Sequence, residues 1–289
     1  MGLDDDSYPI RTLRRNNIPN YFFPESAASV LKTMYDYSLF LRSPSEEVPK
    51  FSEVDDEQVK EVMCKAREEA RVNLTIEESI KIAKAYGIQM PKAMIARNKK
   101  EAGEIAKTFG YPVVMKVVSP EIVHKTDVGG VILDVKTRGE VERNYEAMLR
   151  KTRMAMPDAR ISGVLIQQMV PFGKEVIIGA VRDLQFGPLM MFGLGGIYVN
   201  FLRDVSYCLC PLTRSEAKEM VEETKAYTLL RGVRGEPVSD IDSVIDVILK
   251  VSQLMSCFKD IVEMEINPLC VYEQEKGCLA VDIRITISK

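Results

Sequence analysis

From Thr75 onward, segments with helical periodicity alternate with short apolar runs typical of buried strands. The segment TIEESIKIAKAYGI begins with a Thr-x-x-Glu capping box at Thr75 and ends at Gly87, which predicts a helix. The valine-rich run VVMKVV (113–118) predicts a strand. The last two apolar runs, IVEMEINPLCVY and CLAVDIRI, flank a turn and predict a hairpin. The mixture predicts an α+β fold in two lobes, with a seam near residues 151–162.

Residues 1–71 precede this alternation and predict an N-terminal helical extension with a linker. A turn-rich start leads into a helix-like run that opens at Pro24, and the stretch 42–58 is polar with two prolines, as in an exposed linker. We expect the two lobes to comprise residues 72–155 and 156–289.

The bulk composition excludes several classes of protein. The chain has 289 residues, 46% of them hydrophobic, and a net charge of −3, so a sizeable core is expected and a general affinity for nucleic acid is not. No run reaches the length of a membrane span, and the N-terminus lacks the apolar region of a secretory signal. The six cysteines form no CxxC pair, and with a single histidine they predict reduced thiols in a cytoplasmic protein rather than a zinc site.

Lys116 stands inside the predicted strand VVMKVV. A buried ammonium group is costly unless it meets an anion, which favours a phosphate ligand. A lysine at a strand edge can also extend its ammonium group to water. The residue alone does not decide between these two interpretations.

His124 is the only histidine, and it lies in a polar loop that ends in paired glycines and follows the lysine strand. A lone histidine is usually a packed or capped residue. Here Lys125, Thr126 and Asp127 stand beside it, and an imidazole nitrogen can accept a phosphoryl group while a carboxylate orients the other nitrogen. This context favours a phosphoryl acceptor.

Two further features carry weaker signals. FGLGG (192–196) is a glycine cluster that can mark only a tight bend, and it is followed by the charged pair Arg203-Asp204. Glu175 lies on one side of the predicted strand KEVIIG. Each of these could be ordinary surface polarity.

The C-terminal hairpin gives a sharper signal. Glu265 and Asn267 are two residues apart and therefore share a face of one strand, while Asp282 lies on the partner strand. A carboxylate and an amide oxygen that converge across a hairpin suit Mg2+. A solvated hairpin with an Asn-Pro turn is the alternative interpretation.

Together, these segments resemble the ATP-grasp domain of ADP-forming acetate–CoA ligases, which are relatives of the succinyl-CoA synthetase β subunit. The resemblance covers about residues 72–286 and rests on GYPVVMKVVSPEIVHKTDVGGV, on QQMVPFGKEVIIGAVRD with the following FGLGG, and on EMEINPL and AVDIRI. It implies an ATP-grasp fold of two α+β subdomains that binds ADP or ATP with Mg2+.

The resemblance also implies roles for single residues. It assigns Lys116 to the nucleotide phosphates and Glu175 to the ribose. It assigns His124 as a phosphohistidine, a residue that succinyl-CoA synthetases lack at this loop. The remaining assignments are a hinge around adenine at Gln167, Gln168, Met169 and Val170, Mg2+ ligands at Asn267 and Asp282, and an acidic residue near the phosphohistidine at Glu265.

The N-terminal run NNIPNYFFPESAASVLKTMYDYSLFLR is similar to the segment that follows the CoA-binding and ligase domains in fused members of that family. The resemblance therefore implies a CoA-binding α subunit as partner, in an α2β2 heterotetramer. It implies an acid–thiol ligase reaction in which acyl-CoA, ADP and phosphate give acid, CoA and ATP. A non-catalytic nucleotide sensor and a succinate-specific β subunit are the alternatives.

Overall fold

The computed structural model describes residues 7–42, 46–119, 121–122, 125, 128–196 and 204–289. The chain divides into two compact units, residues 1–47 and 48–289. The structure is 42% helical and 25% strand, which confirms the mixed α+β class predicted from the sequence. Within the described ranges, no helix combines the length and the apolar character that crossing a membrane requires.

The described part of the first unit contains two helices, α1 (Tyr8–Arg15) and α2 (Pro24–Arg42). Pro9 occupies the first turn of α1, where its missing N–H costs nothing. The predicted helix-like run from Pro24 is confirmed as α2.

The second unit contains a four-stranded antiparallel sheet of order β1-β4-β2-β3. The helices α5 and α6 pack on it through side chains such as Ile105, Val141 and Met148. The bounds of these elements are β1 (Ala93–Ala96), α5 (Lys99–Phe109), β2 (Val113–Val118), β3 (Val131–Val135), α6 (Arg138–Ala155) and β4 (Gly163–Gln168).

The same unit contains a six-stranded antiparallel sheet in which β10-β8-β5-β6-β7 lie side by side and β9 pairs with β8. Its strands are β5 (Lys174–Asp183), β6 (Gly187–Leu194), β7 (Val205–Leu209), β8 (Ile261–Val271), β9 (Cys278–Ala280) and β10 (Ile283–Ile287). The pairing of β8 with β9 and β10 confirms the predicted C-terminal hairpin.

Five described helices share one hydrophobic core with this larger sheet, in which Ile82, Ile178, Phe192 and Leu254 are buried. They are α3 (Asp56–Glu68), α4 (Ile76–Ala85), α7 (Arg214–Glu222), α8 (Lys225–Leu230) and α9 (Ile241–Cys257). Full burial of each such side chain contributes about 1.5–3 kcal/mol.

The predicted start of α4 is confirmed. Thr75 accepts a hydrogen bond from the N–H of Glu78, and the Glu78 carboxylate accepts one from the N–H of Thr75. Arg71 adds a bidentate pair to the same carboxylate, at 2.7 and 2.9 Å. Two orphan N–H groups at the helix start are therefore satisfied.

Sheet membership does not follow the predicted division at residues 71/72 and 155/156, which stays a prediction. Strand β4 pairs with β1 and β2 and so belongs to the smaller sheet. The helices α3 and α4 pack in the core of the larger sheet, where Leu74 and Ile287 make backbone hydrogen bonds that tie the chain around residue 73 to β10.

Candidate functional site

Lys116 lies in the middle of β2, where strand β4 flanks it on one side and β3 on the other. Only 8% of the residue is exposed. Its ammonium group donates a hydrogen bond to the carbonyl of Val281 at 3.2 Å and lies 3.5 Å from the Asp282 carboxylate. Burial lowers the pKa of Lys116, and the neighbouring Asp282 offsets part of that effect. The buried cation thus meets an anion from the other sheet, as its position in the sequence suggested.

Asp282 lies between two ammonium groups. Its Oδ2 atom is 3.5 Å from Lys116 Nζ and 3.6 Å from Lys125 Nζ. Lys125 belongs to the sequence segment that also carries His124, and no sequence motif predicted a role for Lys125 itself. Asp282 therefore stands where the lysine strand, this loop and the C-terminal hairpin meet.

Gln167 makes a second link between the two sheets. This buried side chain donates a hydrogen bond from Nε2 to the carbonyl of Val281, at 3.0 Å, the same oxygen that Lys116 contacts. Its Oε1 atom is buried and has no hydrogen-bond partner among the described residues. An unsatisfied buried acceptor is costly, so a ligand N–H group would relieve it.

The other three residues of the predicted hinge follow β4 or end it. Gln168 is exposed, Met169 and Val170 are half-buried, and the N–H of Met169 donates to the carbonyl of Pro112 at 3.3 Å. The hinge segment thus continues from the lysine-bearing sheet toward Lys174, where the larger sheet begins.

Asn267 and Glu265 lie on β8, and their side chains meet as the two-residue spacing predicted. Asn267 Nδ2 donates to Glu265 Oε1 at 3.2 Å, and the N–H of Asn267 donates to the carbonyl of Asp282 at 3.2 Å. Glu265 also lies 3.7 Å from the guanidinium group of Arg284. Asn267 and Asp282 are thus in backbone contact across the hairpin, and the convergence of their side-chain oxygens on Mg2+ stays a prediction.

The glycine turn after β6 reaches the same place. The N–H of Gly196 donates to Asn267 Oδ1 at 3.3 Å, and the N–H of Gly195 donates to the carbonyl of Glu175 at 2.9 Å. A Cβ atom on Gly195 would lie 2.6 Å from the Val176 carbonyl carbon, which is too close for any side chain. The FGLGG motif thus allows a close approach between this turn and strand β5.

Glu175 is exposed at the start of β5 and borders a cavity of about 500 Å³. The cavity lies between the ends of β5 and β6 and the helix α8, and its lining includes Lys174, Leu194, Gly195, Leu229 and Glu236.

Cys270 was not singled out in the sequence. It is buried on β8 opposite Glu175. Burial raises the pKa of its thiol to about 11, with Glu175 adding to the rise and Lys116 opposing it. Cys270 thus lies across the strand pair from the residue that the resemblance assigns to the ribose. Strand alternation gave no signal for Cys270, because it lies three residues after Asn267 and alternation alone places it on the opposite face.

The donor set matches part of what Mg2+ requires. Asp282 supplies a carboxylate that already faces two cations, and Asn267 supplies an amide oxygen on the neighbouring strand. Mg2+ is commonly held by one or two carboxylates together with water and substrate phosphates. The described ranges contain no group of three or more His, Cys, Asp or Glu side chains that could hold a metal ion alone. The residues therefore fit a metal shared with a phosphate ligand.

His124 and Arg203 lie outside the described residues, as do Thr126 and Asp127. The structure thus brings together Lys116, Gln167, Glu265, Asn267 and Asp282, adds Lys125, and leaves the roles of all of these as predictions.

A family profile described as an ATP-grasp domain matches residues 65–287. The chain belongs to the ATP-grasp family. This confirms the family and the fold expected from the sequence motifs. In this chain the ATP-grasp fold consists of two sheets, and the buried Lys116 on one of them faces Asp282, which precedes a strand of the other.

Two relatives of this chain differ in length: one is a much longer protein, and the other is a separate subunit. A 4-hydroxybutyrate–CoA ligase (ADP-forming) from Nitrosopumilus maritimus is 41% identical over 285 residues, which are 99% of this chain and 41% of that protein. The β subunit of acetate–CoA ligase (ADP-forming) I from Pyrococcus furiosus is 44% identical over 228 residues, which are 79% of this chain and 97% of that subunit. This chain thus spans 41% of the length of the longer relative.

A solved structure of the dinucleotide forming acetyl-coenzyme A synthetase 1 from Ca. Korarchaeum cryptofilum superposes with a TM-score of 0.76 at 38% identity, covering 79% of this chain and 99% of that one. That protein is in complex with coenzyme A, Ca-AMPCP and HgCl+. A second structure of it holds coenzyme A and Mg-AMPPCP, with the phosphohistidine segment pointing towards the nucleotide binding site, and superposes with a TM-score of 0.70.

Proposed function

We propose that this chain is the nucleotide-binding part of an ADP-forming acyl-CoA synthetase and that it transfers a phosphoryl group between His124 and ADP or ATP. The observation that carries the proposal is the position of Asp282 between Lys116 and Lys125, where the two sheets meet. Relatives and solved structures that carry this activity in their names support it.

The nucleotide phosphates would replace the Asp282 carboxylate as partner of Lys116. A buried ammonium group that is already paired with an anion needs no new desolvation to bind another one. The hinge residues Gln167, Gln168, Met169 and Val170 would hold adenine, with the unsatisfied Gln167 Oε1 as an acceptor for an N–H group. Glu175 would bind the ribose hydroxyls beside the cavity that it borders.

Asn267 and Asp282 would hold Mg2+. When bound, the ion would neutralise part of the charge on the phosphates. The contact from the Gly196 N–H to Asn267 Oδ1 keeps the amide oriented by the glycine turn. Mg-AMPPCP in the K. cryptofilum protein supports a magnesium-bound nucleotide as ligand.

The partner would convert acyl-CoA and phosphate into acyl phosphate and free CoA. The phosphoryl group would leave the acyl oxygen, pass through the partner's own histidine and form a P–N bond on His124. In the second step the P–N bond breaks and a terminal oxygen of ADP takes the phosphoryl group, which gives ATP and free imidazole. Glu265, on the strand next to Asp282, would orient the imidazole.

The partner in this scheme is a CoA-binding α subunit, in an α2β2 assembly. The name of the P. furiosus relative, a β subunit, supports a two-subunit arrangement.

An isotope-exchange experiment tests the proposal on this chain alone. With Mg2+, unlabelled ATP and labelled ADP, the chain should form labelled ATP without CoA or partner, because phosphorylated His124 can return its group to either nucleotide. A nucleotide sensor would bind ADP and ATP but would exchange no label. Binding without exchange would therefore reject the proposed transfer in favour of that alternative.

A further inference from the structure

Two ammonium groups share one carboxylate oxygen where the two sheets meet. The Nζ atoms of Lys116 and Lys125 lie 3.5 and 3.6 Å from the same atom, Oδ2 of Asp282. Among the described residues, Asp282 supplies the only carboxylate that pairs with either lysine. Two cations therefore face one anion, and the cluster has an excess of positive charge. Because Lys116 is buried, an uncompensated charge at this place is costly, which suits the cluster to an anionic ligand.

The excess of positive charge becomes larger when Asp282 holds Mg2+. A divalent cation on that carboxylate would take the shared partner away from both lysines at once. Each lysine then needs a phosphate oxygen of its own. Since both nitrogens lie close to one oxygen atom, their separation cannot exceed the two ion-pair distances combined. Neighbouring phosphates of a nucleotide share a bridging oxygen, so two of them can meet two cations at this spacing.

The backbone at Lys125 is tied to the strand that bears Lys116. The carbonyl of Lys125 accepts a hydrogen bond from the N–H of Gly130 at 2.7 Å, and the carbonyl of Gly130 accepts one from the N–H of Val117 at 2.8 Å. A Cβ atom at residue 130 would overlap the side chain of Val117 and lie 2.9 Å from the Lys125 carbonyl oxygen, so glycine is required for this contact. The position of Lys125 beside β2 therefore does not depend on its ion pair with Asp282 alone.

We propose that Lys125 binds the terminal phosphate of ATP, whereas Lys116 binds the phosphates nearer the ribose. This inference rests on the proposed function and deepens it, since the terminal phosphate is the group that would pass to His124. Lys116 lies in the middle of β2, which pairs with the strand that leads into the segment proposed to hold adenine. Lys125 directly follows His124 in the chain, and consecutive Cα atoms are only about 3.8 Å apart. The cation next to the phosphoryl acceptor is therefore the one assigned to the transferred group.

Calorimetry with the full chain and Mg2+ tests this assignment. The probes are ADP and AMPPCP, an ATP analogue whose methylene bridge prevents transfer of the terminal phosphate. Lys125→Met should weaken the binding of AMPPCP at least about tenfold, because a charged contact with the terminal phosphate is lost. The same variant should change ADP affinity less than about threefold.

Two further variants complete the comparison. Lys116→Met should weaken the binding of both nucleotides, because its contacts are with phosphates that ADP and AMPPCP share. Lys136→Met is the matched control, since Lys136 forms an exposed ion pair with Asp134 and should leave both affinities unchanged.

The ratio of the two affinities separates a terminal-phosphate contact from a general effect on the fold. A distorted site would bind ADP and AMPPCP less tightly to the same extent. Equal losses for the two nucleotides in Lys125→Met, or an unchanged affinity for AMPPCP, would therefore overturn the proposal.

The proposed function fails separately from this one. Absence of label exchange between ADP and ATP in the wild-type chain would reject the phosphoryl transfer, while a selective loss of AMPPCP affinity in Lys125→Met would still place that lysine at the terminal phosphate. Exchange in the wild-type chain together with unchanged AMPPCP affinity in Lys125→Met would reject only the role of Lys125.

Discussion

The ammonium nitrogen of Lys116 lies 3.5 Å from the carboxylate of Asp282, and this pair joins the two sheets of the ATP-grasp unit. Lys116 is buried on β2, and Asp282 precedes β10 on the other sheet. Removing Asp282 from this pair is costly, because the buried ammonium group of Lys116 would lose its anionic partner. A bound phosphate would replace Asp282 as the partner of Lys116, and Mg2+ would replace Lys116 as the partner of Asp282. Both charges would therefore stay compensated when the ligands bind.

Replacing Lys116 by Met should weaken the binding of ADP and ATP by about 1.5–3 kcal/mol, the usual contribution of a hydrogen bond to a charged group. The apolar side chain fills the same space on β2, so the fold should persist. Isothermal titration measures the affinity directly. Lys136→Met is the matched control, because Lys136 forms an exposed ion pair with Asp134 and should leave nucleotide affinity unchanged. Equal affinities of the two variants would remove Lys116 from the nucleotide site.

Asp282→Asn should make nucleotide affinity insensitive to Mg2+. The amide has almost the same shape, but it neither carries the charge that holds a divalent cation nor balances Lys116 and Lys125. Affinities for ADP measured with Mg2+ and with EDTA should differ for the wild-type chain and coincide for the variant. Asp134→Asn, on an exposed strand position, should behave as the wild type. A variant at residue 282 that keeps the full Mg2+ effect would contradict the metal assignment.

Glu78→Gln should lower the free energy of unfolding at pH 7 by about 1–3 kcal/mol, because the carboxylate loses its charged hydrogen bonds with Arg71 and Thr75. Burial alone would raise the pKa of Glu78, but the hydrogen bonds from Arg71 and Thr75 outweigh it and hold the pKa below its usual value.

The sign of the pH dependence follows from this direction. A carboxyl group with a depressed pKa in the folded state stabilises the protein above its unfolded pKa of about 4.3, and the contribution disappears as the pH falls through the folded value. Urea unfolding should therefore show a gap between wild type and Glu78→Gln that is constant from pH 7 to 5 and narrows below pH 4. A gap that widens on acidification would show that Arg71 does not stabilise the ionised form.

The sequence predicts the local parts of this site and not the contacts between them. Alternation on one strand was enough to bring Glu265 and Asn267 together, and their side chains do meet at 3.2 Å. The strand position of Lys116 followed from the apolar run around it. The proximity of Lys125 to Asp282 could not be predicted, because no periodicity relates a loop in one sheet region to a hairpin in the other.

The sheet to which β4 belongs could not be predicted from the sequence either. Its run GVLIQQ predicts a strand, but pairing partners far apart in the chain leave no local pattern. The structure pairs Val164 with Ala96 and Val117, which assigns β4 to the sheet of Lys116. Predictions about which residues share a lobe depended on this pairing, while predictions about single strands did not.

The last prediction concerns His124, the chain's only histidine. Incubation with Mg2+ and ATP labelled at the γ-phosphate should label the chain in a form that acid removes and base does not, as expected for a P–N bond. Because the chain has one histidine, loss of the label in a His124 variant would assign it to that residue. Labelling is followed after alkaline gel filtration, and unlabelled ADP should remove the label by forming ATP.

His124→Asn should abolish the label while ATP affinity changes by less than about 0.5 kcal/mol, since the imidazole acts in transfer and not in nucleotide binding. Lys116→Met should show the converse, with weakened ATP affinity. If the lysine serves only to bind the nucleotide, saturating ATP should restore labelling of this variant to the wild-type level. The two variants therefore separate holding the nucleotide from accepting its phosphoryl group. If His124→Asn, combined with its partner, still formed ATP from acyl-CoA at the wild-type rate, the phosphoryl group would reach ADP without stopping on this chain. The charged cluster of Lys116, Lys125 and Asp282 would then bind the nucleotide for a histidine delivered by the partner.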